Sequence, residues 1–164
     1  MKILGIDTSL RSTGFGVMEL SGTRMQAVEF GNIKISSKEP LSGCLKKIYE
    51  KIDSLCEIHN PDVVAIEEVI YAKNALTTLV LGEARGAVIA AVSRRGIPIF
   101  EYEPRRMKRA VTGNGMAEKM QVQLMVKTLL SLAELPQNDA ADALGLAICH
   151  AHSRSVLSSN SMPL

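Results

Sequence analysis

Four acidic residues stand where chemistry could use them. Asp7 ends the first apolar run, Glu67 ends a later one, and Asp139 and Asp142 lie three apart at the start of a predicted helix. Carboxylates attract hard divalent cations and repel phosphate, so four of them in one cleft would make a magnesium site suited to phosphoryl chemistry. Manganese could serve through the same oxygen ligands. Each acid taken alone has an ordinary explanation: an Asp after a strand is commonly a turn former, and acids in a first helical turn complement the macrodipole. Glu67 resists that reading because it follows four apolar residues, and charges are rarely buried unpaired.

The elements around these acids make a common cleft plausible. Lys2-Ile3-Leu4-Gly5-Ile6-Asp7 stops at a turn, Thr8-Ser9-Leu10-Arg11-Ser12, and a second run over 13–20 follows at hairpin spacing. A third apolar stretch spans about 26–35. Leu41, Cys44, Leu45, Ile48, Ile52, Leu55 and Cys56 recur at helical spacing, as an amphipathic helix packed on a sheet requires. Val63-Val64-Ala65-Ile66-Glu67, opened by Pro61-Asp62, lacks period-two alternation and reads as a central strand parallel to its neighbour. A helix is predicted over 76–95, with Gly82 and Gly86 lowering its propensity while allowing another backbone to approach, as at a dimer contact. A fifth strand over 97–102, a helix over 117–132 and a helix capped by Asn138 complete the pattern; the i,i+3 spacing sets Asp139 and Asp142 on one face.

Charge is informative by position rather than by sum. The net charge of the 164 residues is only +2, yet Arg105, Arg106, Lys108 and Arg109 fall within five residues, and Lys119 follows the turn at Thr112-Gly113-Asn114-Gly115. Cations beside an acidic metal cleft are what a nuclease needs to hold a phosphate backbone; without the acids, the same segment would read as a solvated helix face. The 46% hydrophobic content can fill one core. No apolar stretch reaches the roughly 18 residues of a membrane span and no signal peptide precedes the first strand, so a cytoplasmic protein is expected. Three cysteines without CxxC spacing suggest neither a disulfide framework nor zinc, only small core residues. His150 and His152 diverge by roughly 200° on a helix and are poor joint ligands; His59 falls at a helix end.

In order and spacing, Gly5-Ile6-Asp7 with Thr13-Gly14-Phe15-Gly16-Val17, Ala65-Ile66-Glu67 with Ala72-Lys73-Asn74, Leu81-Gly82-Glu83-Ala84-Arg85-Gly86 and Asp139-Ala140-Ala141-Asp142-Ala143-Leu144 resemble the RuvC family of bacterial Holliday-junction endonucleases. The resemblance implies an α/β, ribonuclease-H-like mixed five-stranded sheet: three antiparallel strands, then parallel ones, with helices on both faces. It covers residues 1–152 as a nuclease domain and leaves 153–164 as a flexible tail. It further implies that Asp7, Glu67, Asp139 and Asp142 hold two magnesium ions for phosphodiester hydrolysis leaving 5′-phosphates. Lys108 and Lys119 match lysines at the scissile backbone, and Lys73 and Asn74 match a junction-facing loop. Family members are homodimers that cut four-way junction DNA symmetrically and work with the RuvA–RuvB branch-migration complex.

Two departures stand out. The family commonly has Asp-Pro-Gly after the first strand, whereas Asp7 is followed here by Thr8 and Ser9. The family usually places an aromatic three residues after the catalytic Glu to meet unstacked junction bases; Ile70 stands there, with Tyr71 next to it as the expected replacement. Two other classes compete. Gly5-Ile6-Asp7 followed by Thr and Ser also resembles the phosphate loop of actin-like ATPases, which need two lobes around a nucleotide where this length supplies one domain. A non-catalytic junction-binding dimer is the other, disfavoured because carboxylates beside DNA weaken binding unless they hold metal.

Overall fold

Hairpin spacing at the N-terminus is realised as β1 (Lys2–Asp7) and β2 (Ser12–Ser21), followed by β3 (Arg24–Lys34). Then come α1 (Leu41–His59), β4 (Val63–Glu67), α2 (Ala75–Ser93), β5 (Ile99–Tyr102), α3 (Pro104–Thr112), α4 (Lys119–Leu129) and α5 (Asn138–Asn160). The computed structural model describes residues 1–68, 74–160 and 163–164, with side chains described up to 153 and at 163–164.

The five strands form one sheet in the order β3-β2-β1-β4-β5. β1 and β3 run antiparallel to β2, whereas β4 runs parallel to both β1 and β5. Pro61-Asp62 does more than start β4. The Asp62 carboxylate accepts the Lys2 N–H at 2.6 Å and its own N–H donates to the Lys2 carbonyl at 2.9 Å, fixing the parallel register from its first residue.

Alternation of side chains across the pleat splits the core into two layers. Leu4, Ile6, Val17, Val64 and Ile66 pack with α1 and α2 on one face, while Ile3, Met18, Val63 and Ala65 pack with α3, α4 and α5 on the other. Burial on both faces explains why β4 shows no alternation in sequence. All three cysteines are buried and free.

One boundary differs from expectation: Asn138 opens α5 rather than capping it, and the Gln137 carbonyl accepts the Ala141 N–H at 2.8 Å. α5 runs to Asn160, and its Ser153 is buried and accepts a bond from Arg106 at 3.1 Å. Among the described helices, α2 is long and apolar enough to span a membrane by length and composition, contrary to expectation. Glu83 and Arg85 interrupt it, and Arg85 is bonded into the sheet edge as described below.

Candidate active site

Alternation determines which acids can meet. On β1 the odd positions Ile3, Gly5 and Asp7 share the α5 face, and on β4 so do Val63, Ala65 and Glu67. β1 and β4 are adjacent and parallel, so Asp7 and Glu67 emerge side by side at the same end of the sheet. Glu68, one residue on, leaves the other way: it is exposed, donates its N–H to the Tyr102 carbonyl at 3.0 Å, and its charge acts on Arg85 of α2.

α5 reaches this end because glycine removes the side chains that would hold it off. A Cβ on Gly5 would collide with the Ala143 carbonyl, and one on Gly14 with the Asp139 carbonyl. Gly14 pairs with Asp7 across β1–β2, so the same close approach that seats the first turn of α5 sets Asp139 beside Asp7.

The four acids lie within reach of one another's charge. Burial, then the charges of Glu67, Asp142 and Asp139, push the Asp7 carboxyl up to about 8, with Lys119 opposing. Glu67 is raised by burial and by Asp142, against Lys108. Asp142 is raised by burial, opposed by Lys119, raised again by Asp139 and opposed by Lys108. Lys108 and Lys119, from α3 and the first residue of α4, are therefore the cations of this cleft. No three of the described His, Cys, Asp and Glu side chains already stand close enough to hold a metal ion between them. The donor set itself fits a hard divalent cation: all-oxygen ligands, half-buried, carrying more negative charge than two lysines offset.

Around the acids lie residues whose part the sequence did not announce. The Ser12 hydroxyl donates to Asp139 Oδ2, and Asn32 Nδ2 donates to the same oxygen at 2.7 Å. Arg85 donates to the Glu67 carbonyl at 2.7 Å and pairs with Glu101, anchoring the end of β4. Arg85 lies in a motif already noted; for Ser12 and Asn32, position on the α5 face near a strand end was the available signal.

The other basic residues divide. Arg105, Arg106 and Arg109 are all exposed on α3, but the Arg106 guanidinium lies 5.2 Å from the Tyr102 ring centre and bonds to Ser153, toward the far half of α5. Asn74 is exposed and caps α2, its side chain accepting the Leu76 N–H at 2.9 Å. Ile70, Tyr71 and Lys73 lie outside the described residues. The histidines stay out of the cleft: His150 is buried against Tyr102 Oη at 2.8 Å, His59 meets Glu29 at 2.7 Å at the end of α1, and exposed His152 faces the Ala110 carbonyl at 3.2 Å.

Strand order, mixed pairing and acids on β1, β4 and the last helix define a ribonuclease-H-like nuclease fold. Residues 3–150 match the family described as crossover junction endodeoxyribonuclease RuvC. The chain belongs to the RuvC family. It is 43% identical over 159 residues to the RuvC protein of Brevibacillus brevis, covering 96% of each chain. It is 46% identical over 156 residues to that of Citrifermentans bemidjiense, covering 95% of each. The structure of Thermus thermophilus RuvC in complex with Holliday junction substrate superposes with a TM-score of 0.92 at 31% identity, over 100% of this chain and 99% of that one. The yeast mitochondrial Holliday junction resolvase Ydc2, at 17% identity and a TM-score of 0.69 over 95% of this chain and 80% of that one, shares the fold. Membership implies use of a divalent metal ion.

Proposed function

We infer that this protein resolves four-way DNA junctions by paired, symmetric phosphodiester cuts. Asp7, Glu67, Asp139 and Asp142 hold two magnesium ions, and manganese can replace them. The carrying observation is the convergence of Asp7 with three other carboxylates under α5, in a chain similar along its length to RuvC proteins. When bound, the ions supply a nucleophile from water at neutral pH and stabilise the leaving 3′-oxygen. The protein's own groups do the rest. The half-buried carboxylates would orient the ions, Lys108 and Lys119 offset the negative field and contact the scissile phosphate, and Arg105 and Arg109 hold the backbone. Tyr71, Ile70, Lys73 and Asn74 are proposed to meet the junction centre from the loop after β4. Products carry 5′-phosphates.

Two cuts on opposite strands need two copies of the site. α2 supports a homodimer: Leu76 is 67% and Leu79 59% exposed, and nothing lies within 4 Å of a Cβ placed on Gly82 or Gly86. An apolar face with small residues suits a second copy of the same helix. Cooperation with RuvA and RuvB, in the cytoplasm, belongs to the same reading. Incubation with a labelled four-way junction and with linear duplex of the same sequence tests it. Magnesium-dependent nicks at matching positions on opposing strands of the junction alone are expected, and ATP hydrolysis or binding without cutting would overturn it.

A further inference from the structure

Asp139, on α5, is the one acid of the cleft whose side chain is held by described hydrogen bonds from two strands. Ser12 opens β2 and Asn32 lies on β3, paired across the sheet with Gly14. All three positions fall on the α5 face. The close passage of the Asp139 backbone over Gly14 brings its carboxylate within reach of both donors.

The polarity of this contact is set by proton counting. Asn32 Nδ2 donates to Ser12 Oγ at 3.1 Å as well as to Asp139 Oδ2 at 2.7 Å. A serine hydroxyl has one proton, so with its oxygen accepting from Asn32 that proton is free to go to Asp139, where the Ser12 bond is directed. The reversed amide would turn the Asn32 carbonyl oxygen against a carboxylate. In the orientation present, Asn32 Oδ1 is buried with no hydrogen-bond partner, so the amide forgoes an acceptor bond while its Nδ2 serves Ser12 and Asp139. Both donors converge on Oδ2 and neither reaches Oδ1.

We propose that Ser12 and Asn32 are positioning residues that fix the Asp139 carboxylate in one rotamer, with Oδ2 occupied by the sheet and Oδ1 presented to the metal ion. The proposal rests on the metal-dependent reading above. A free aspartate in a first helical turn samples several rotamers; one clamped from β2 and β3 meets the cation without that loss of freedom. Groups that orient metal ligands in this way typically change metal affinity or activity about 10–100-fold when removed.

The test is direct Mn2+ binding to the intact protein, followed by electron paramagnetic resonance, beside the Mn2+ concentration for half-maximal junction cleavage and the junction Kd. Ser12→Ala and Asn32→Leu, the latter close in volume but without the donor, should each weaken Mn2+ binding by about tenfold. The cleavage midpoint should shift alike, with junction Kd unchanged. Ser12→Thr keeps the hydroxyl and should bind Mn2+ as the wild type does. Wild-type Mn2+ affinity in both Ser12→Ala and Asn32→Leu would overturn the clamp, as would a Ser12→Thr variant as weak as Ser12→Ala. A wild-type protein that binds no Mn2+, with or without junction, would instead remove the metal reading on which the clamp rests.

Discussion

Replacing Asp7 with Asn should abolish cleavage and yet make the metal-free protein more stable. The Asp7 carboxyl is held at about 8 instead of 3.8, by burial first and then by Glu67, Asp142 and Asp139. A native state that binds a proton more tightly than the unfolded chain loses stability as pH rises, here through the window from about 4 to about 8. Each pH interval of one is worth about 1.4 kcal/mol, so the penalty reaches about 4 kcal/mol at pH 7 and about 2 kcal/mol at pH 5. Outward movement of the side chain and entry of water reduce both figures. Asn fills nearly the same volume with no charge to bury. In EDTA, Asp7→Asn should therefore gain about 2–4 kcal/mol at pH 7, or about 5–15 °C in Tm, and less than half of that at pH 5. Saturating Mg2+ should stabilise the wild type and leave the variant unmoved. Urea and thermal denaturation at the two pH values, with and without Mg2+, measure all of this. A variant less stable than wild type at both pH values, or equally stabilised at both, would refute the placement of Asp7 among half-buried like charges.

Replacing Arg105, Lys108 and Arg109 together with Gln should weaken junction binding and flatten its salt dependence, as fewer counterions are released; adding Arg106→Gln should change the slope little, because that guanidinium is engaged with Tyr102 and Ser153. A slope unchanged by the first three would place the DNA surface elsewhere. Lys119→Ala should depress cleavage more than binding, since its ammonium acts on Asp7 and Asp142; equal losses would make it an ordinary backbone contact. Gly14→Ala should cost at least about 1–3 kcal/mol by thermal denaturation, because the new methyl meets the Asp139 carbonyl. A variant with unchanged stability and cutting would show that α5 is not seated there.

Much of this fold is legible in the chain because local signals agree. The apolar run ending at Asp7, hairpin spacing, Pro61-Asp62 and the helical spacing from Leu41 to Cys56 each point to the element found. The four acids were legible too, since burying Glu67 behind four apolar residues demands a reason. The residues that hold Asp139 were not. In sequence Ser12 reads as the end of a turn and Asn32 as part of a middling strand, and their meeting with Asp139 depends on contacts more than a hundred residues apart in the chain. Arg106 reads as one cation among four, and only its packing on Tyr102 separates it from Arg105 and Arg109. The bond from Arg106 to Ser153 escaped for a related reason, being a tertiary contact without local periodicity.

The comparison of Glu67→Gln with Glu68→Gln tests the central claim most directly. The two acids are adjacent in sequence and project to opposite faces of the sheet, so charge, composition and chain position are nearly matched while only one enters the cleft under α5. With a labelled four-way junction and saturating Mg2+, Glu68→Gln should cut at close to the wild-type rate. Glu67→Gln should bind the junction and fail to cut it, by a factor of at least about a hundred. Robust cutting by Glu67→Gln, or equal loss in both variants, would contradict the assignment of the carboxylate cleft as the catalytic centre.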